Sequence, residues 1–103
     1  MILFKPCFIE PILTGQKTQT RRKGKKRWNV GAIHQCKTEI FEEPFAYIKI
    51  LDVKRERLGD ITLANACSEG FTSTAGFGQG WYDIHGSFKE DEEVWVVEFE
   101  REK

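Results

Sequence analysis

The sequence predicts an α+β fold that is mostly β, a small barrel with two or three short flanking helices. Two observations predict it. Apolar residues alternate over several short runs in the middle of the chain, and no helical pattern separates those runs. A parallel sheet needs a crossover helix between successive strands, so an antiparallel barrel fits better. The 103 residues make one domain spanning 1–103, and 40% hydrophobic residues, eight Phe and three Trp among them, suffice for one core.

Met1 to Phe4 reads as a buried strand. Phe8, Ile9, Ile12 and Leu13 recur at helical spacing, and Gly15 suits a left-handed C-terminal cap. Pro11 means that this helix kinks or starts near Glu10. Val30 to Lys37 is the next strand. Phe45 to Lys54 follows, with Ala46, Ile48 and Ile50 on one face and Tyr47, Lys49 and Leu51 on the other. Asp60-Ile61-Thr62 offers an N-cap for a helix to about Glu69, ended by Gly70. Ser73 or Thr74 caps another, reaching His85 with Phe77, Trp81 and Ile84 on one stripe. Glu93 to Glu100 is the closing strand, with Trp95, Val97 and Phe99 on one face.

No apolar run is long enough to span a membrane, and no secretory leader is visible, so the expected location is cytoplasmic. Cys7, Cys36 and Cys67 read as three buried thiols in a reducing compartment. Their spacing relative to His34 and His85 matches no metal pattern, so neither a metal nor another cofactor is expected.

The formal charge is zero, but residues 1–60 hold 13 Lys and Arg against 7 Asp and Glu, and residues 61–103 hold 3 against 9. Arg21-Arg22-Lys23-Gly24-Lys25-Lys26-Arg27 puts six cations in seven positions. Such a run is either a solvated face or a phosphate-contacting loop. Trp28 beside it and Phe71 at a helix end are candidates for stacking on a base. Phe77, Trp81 and Trp95 read as core.

Gly15-Gln16-Lys17-Thr18-Gln19-Thr20-Arg21-Arg22 matches the GxKxxxxR signature of ASCH domains, named for activating-signal-cointegrator homology. Ile12-Leu13-Thr14-Gly15 precedes it as a helix end does in that family. The downstream Ala66-Cys67-Ser68-Glu69-Gly70-Phe71, then Trp81, His85-Gly86 and Val94 to Glu100, follow in the family's order. The chain thus resembles the small microbial single-domain type of ASCH protein, within the PUA-like superfamily.

The resemblance implies a cleft lined by the Lys17 segment and the Glu69 helix. Some small bacterial ASCH proteins hydrolyse the amide of N4-acetylcytidine with a Lys, a Thr and a Glu. These positions fall on Lys17, Thr20 and Glu69. Gly15, Arg21, Arg22, Lys23, Lys25, Lys26, Arg27, Trp28 and Phe71 are then the expected contacts to RNA or a modified nucleoside. An amidohydrolase, a non-enzymatic RNA-binding module and an RNA-cleaving domain all remain open, as does the oligomeric state.

The chemistry sets conditions. A threonine hydroxyl attacks an amide only if a base takes its proton, and a lysine serves as that base only if its pKa is depressed. Lys17 and Thr20 would point to opposite faces of a regular strand, so the segment must bend between them. A Lys17–Glu69 salt bridge is the structural alternative to catalysis.

Overall fold

The computed structural model describes all residues 1–103. Five strands and three helices follow one another as β1 (Ile2–Leu3), α1 (Ile9–Thr14), β2 (Gln19–Arg22), β3 (Ile33–Lys37), β4 (Ala46–Arg57), α2 (Leu63–Ser68), α3 (Thr74–His85) and β5 (Glu93–Glu102). They form one curled sheet, a half-barrel of order β1-β3-β4-β5-β2, in which only the β1–β3 pairing is parallel. The two edge strands lie close enough for Arg22 of β2 to donate from Nη2 to the Leu3 carbonyl of β1 at 2.8 Å.

Alternation explains most of the core. Ala46, Ile48 and Ile50 point inward from β4 and meet Ile2, Phe4, Ile12, Trp28, Cys36, Val97 and Phe99. Between Ile50 and Asp52 the register with β5 shifts, so Leu51 is an unpaired bulge and the next inward residue is Val53. The strand bends there, which helps the sheet curl. β5 is buried on both faces. Val97 and Phe99 join the barrel core, and Val94 turns the other way, to Leu58, Ala66, Phe77 and Trp81 beneath α2 and α3. The molecule therefore has two cores, one inside the curl and one under the helices.

The helices start and stop for local reasons. A 3₁₀ turn at Pro6–Phe8 leads into α1, where Pro11 falls in the first turn and costs no hydrogen bond; Gly15 ends it at φ 83°. The Thr62 and Ser73 side chains accept from Asn65 N–H and Gly76 N–H as N-caps.

Three expectations are corrected. Trp28 is not an exposed platform; it is 7% exposed and packs into the barrel core. The apolar interior outbids the basic neighbours that suggested exposure. Only Cys36 is a buried thiol, since Cys7 and Cys67 are exposed. Ile84 is 55% exposed, so the buried stripe of α3 is Phe77 and Trp81. No helix is long and apolar enough to cross a membrane.

Candidate functional site

The site begins with a strand that carries no apolar pattern. β2 reads Gln-Thr-Arg-Arg, yet Gln19, Thr20 and Arg21 are buried. Its antiparallel pairing with β5 holds it there, Thr20 opposite Val97 and Arg22 opposite Trp95. Alternation sends Thr20 and Arg22 to one face, Gln19 and Arg21 to the other. The two pairs bond accordingly. Arg22 Nε donates to Thr20 Oγ1 at 3.0 Å, and Arg21 Nη1 donates to Gln19 Oε1 at 3.2 Å.

Lys17 lies in the turn between α1 and β2, so the face rule for a strand does not bind it. Its backbone N–H donates to Pro11 O, and the next N–H, of Thr18, donates to Ser68 O at the end of α2. These bonds bring Lys17 to Glu69, the C-cap of α2. Gly70 follows at φ 99°, and a Cβ there would press on the Phe8 ring at 3.3 Å. A side chain at position 70 would therefore disturb both the helix exit and the packing beside Lys17.

Four charged side chains form one network. Lys17 Nζ donates to the Glu69 carbonyl at 2.6 Å and to Glu69 Oε1 at 3.3 Å. Arg21 Nη1 donates to Glu69 Oε2 at 3.0 Å, and Arg21 Nη2 to Glu56 Oε2 at 2.7 Å. Lys17, Arg21 and Glu69 are 3%, 4% and 4% exposed. The network sits at the seam of the two cores. Lys17 Nζ lies 4.4 Å from the Phe8 ring centre and 5.9 Å from that of Phe4, and Arg21 lies 5.9 Å from that of Phe77.

Burial depresses the Lys17 pKa below the ordinary lysine value. Desolvation is the largest cause; Glu69 opposes it, and Arg22 and Arg21 add smaller downward pushes. Burial also raises the Cys36 thiol to about 11, which leaves it protonated and inert. His85, whose ring is tilted against Trp81 with centres 4.1 Å apart, is held below its usual value by desolvation and then by Lys23.

Lys17, Thr20 and Glu69 all line one cleft of about 660 Å³. Its walls combine aromatic rings, Phe4, Phe8, Phe71, Phe77 and Trp81 among them, with basic side chains. Phe71 meets Phe8 and Phe77 edge to face, at 5.7 Å each. It also packs directly on the backbone of α3, where a Cβ on Gly80 would stand 2.8 Å from its ring.

A family model described as the ASCH domain matches residues 3–103. The chain belongs to the ASCH family. An ASCH domain from Lactobacillus crispatus superposes with a TM-score of 0.73 at 21% identity, over 90% of this chain and 69% of that one. A protein from Enterococcus faecalis gives 0.71 at 15%, over 97% and 74%. An ASCH mutant protein from Zymomonas mobilis gives 0.66 at 18%, over 96% and 66%. At these identities the likeness concerns the fold. No curated protein matches the chain.

In this ASCH domain the residues singled out by sequence separate into groups. Lys17, Thr20, Arg21, Arg22, Lys23, Arg27, Trp28, Glu69 and Phe71 line the cleft; Gly15, Lys25 and Lys26 do not. Arg21 has its guanidinium committed to Glu56 and Glu69, which leaves it little to offer a ligand. Glu56 went unrecognised, because Lys-Arg-Glu-Arg at the end of β4 reads as a solvated run. Phe8 was read only as helix packing, though it faces the Lys17 ammonium. No three His, Cys, Asp or Glu side chains cluster as a metal site requires.

Proposed function

We propose that this ASCH domain binds an N4-acylated cytidine in the cleft and hydrolyses its amide. The observation that carries the reading is the buried Lys17, depressed in pKa, in the same aromatic cleft wall as the Thr20 hydroxyl. A volume of about 660 Å³ admits a nucleoside, and the rings supply faces for its base.

Lys17 makes two hydrogen bonds, to the carbonyl and the carboxylate of Glu69. A neutral amine has two N–H donors, so both are used and its lone pair is free to accept a proton. Arg22 Nε–H already points at Thr20 Oγ1, which favours negative charge on that oxygen. Lys17 and Thr20 are not hydrogen-bonded to each other; such contacts commonly tighten only when substrate binds.

The steps then balance. Thr20 Oγ attacks the acyl carbon, and its proton passes to Lys17. The C–N bond breaks, and the Lys17 ammonium returns the proton to the cytidine nitrogen. Water attacks the Thr20 ester and gives a proton to Lys17. Lys17 returns it to Thr20 Oγ as the carboxylic acid leaves. Glu69 acts through Lys17, which it holds in place, and Arg21 holds Glu69.

The Lys17–Glu69 ion pair is also what a purely structural role would need. The net depression of the lysine and its place in the cleft wall favour chemistry over scaffolding. A second reading, an RNA-binding module without chemistry, is favoured by Lys25, Lys26 and Arg27, which are exposed and make no salt bridge. Assaying the protein against a panel of acylated cytidines tests the first reading. Release of free cytidine and acid supports it; inactivity on every member leaves the binding module.

A further inference from the structure

Arg22 is a guanidinium without a carboxylate. It lines the cleft, with its Cζ 5.0 Å from the Phe4 ring centre, and its hydrogen bonds go to two neutral oxygens, Thr20 Oγ1 and Leu3 O. Glu69 is already shared by Lys17 and Arg21 and makes no ion pair with Arg22. An enclosed cation with no counter-ion is expensive to keep unless something brings the missing charge. Arg22 has donors to spare. Nε and Nη2 are engaged, and Nη1 makes no hydrogen bond. Nη1 is not fully enclosed, and the side chain that carries it lines the cleft.

The surroundings point the same way. Lys5, Lys17, Arg21, Arg22, Lys23 and Arg27 line the cleft against one carboxylate, Glu69. Glu56 and Glu69 answer Arg21 and Lys17, and Glu92 reaches Lys23 at 3.8 Å. Lys5, Arg22 and Arg27 remain unanswered. Trp81, in the same wall and 5% exposed, has an indole N–H that is buried with no acceptor. An indole N–H only donates, so what would satisfy it is a hydrogen-bond acceptor.

We infer that Arg22 floors an anion subsite in this cleft, with Lys5 and Arg27 at its rim, and that the group it takes is a phosphoryl group on the bound nucleoside. This rests on the nucleoside reading of the cleft and makes its ligand a nucleotide, either free or within an RNA strand. A phosphoryl group matches the fork of a guanidinium and supplies several acceptor oxygens.

Calorimetry on the intact chain, at low salt, tests it with cytidine, cytidine monophosphate and a short cytidine-containing RNA. The expected result is phosphorylated cytidine binding at least about tenfold tighter than cytidine, the worth of one charge-assisted contact. Inorganic phosphate should compete with it. Arg22→Gln should remove the preference while cytidine still binds. Arg22 also ties two strand edges, so this variant can fail to fold. The exposed pair Lys5→Glu and Arg27→Glu then carries the test, and should reduce the preference without reducing cytidine affinity. A mononucleotide as tight as the RNA identifies the free nucleotide as the ligand; a preference confined to the RNA identifies an in-chain phosphate. Equal affinity for cytidine and both phosphorylated ligands overturns the subsite. A protein that prefers the nucleotide yet cleaves no acylated cytidine keeps the subsite and loses the hydrolase. One that cleaves without preferring it loses only the subsite.

Discussion

Lys17 to Arg27 carries seven cations in eleven residues, and the structure treats its two halves in opposite ways. In the first half Lys17 and Arg21 are almost wholly buried and paired with Glu69 and Glu56. In the second, Lys25, Lys26 and Arg27 are exposed and unpaired. Local composition is nearly the same, so it does not decide the difference. Pairing of β2 with β5 does, together with two carboxylates from 35 and 52 residues further along. A charged residue that is placed by long-range pairing is part of the interior. One that is placed by a loop belongs to the solvent and to whatever polyanion screens it.

The largest break in this contrast is expected from Glu69→Gln. It removes the carboxylate that Lys17 and Arg21 share and leaves two buried cations short of charge. Urea denaturation should show a loss of about 3–5 kcal/mol. Loss below about 1 kcal/mol would mean that the network relaxes into water.

Trp28→Ala should cost about as much, about 3–5 kcal/mol, because Trp28 fills the barrel core although it adjoins the basic loop. An effect on RNA affinity without an effect on stability would instead restore Trp28 as a stacking surface.

Lys17 predicts a pH dependence. Its folded pKa lies below 10.5, so between the folded and unfolded values the unfolded chain binds more protons. Stability therefore rises with pH across that window, as the penalty of burying the ammonium is relieved. Thermal melts should show wild type gaining on Lys17→Met as pH climbs towards 10.5. A gap that is constant with pH would mean that the pair offsets burial completely.

Reversing charge at Lys25, Lys26 and Arg27 should change stability by no more than about 0.5 kcal/mol. The same change should weaken RNA binding and flatten its dependence on salt, since each lost phosphate contact removes counterion release. An unchanged affinity and slope would make the loop a solubilising face only.

The sequence made these regions legible to different degrees. α1, α3, β4 and β5 carry apolar residues at the period of their structure, so they could be read directly. β2 could not, because Gln19 to Arg22 is buried by ion pairs and strand partners rather than by apolar side chains. The bulge at Leu51 leaves no local mark, since Leu-Asp-Val continues an ordinary strand pattern. Lys17, Thr20 and Glu69 were reachable through a family motif. Glu56 was not, as its importance exists only once the sheet brings it to Arg21. Arg22 stood in the motif, but its lack of a counter-ion is a fact of three dimensions.

The most direct test of the proposed chemistry is turnover of an N4-acylated cytidine by Lys17→Met, with cytidine affinity measured on the same sample. Methionine keeps most of the lysine's bulk and removes the base. If Lys17 takes the Thr20 proton, kcat falls by about 10²–10⁴-fold, and cytidine still binds. Turnover equal to wild type, with the protein folded and cytidine bound, would contradict that role and leave Lys17 and Glu69 as a buried structural pair.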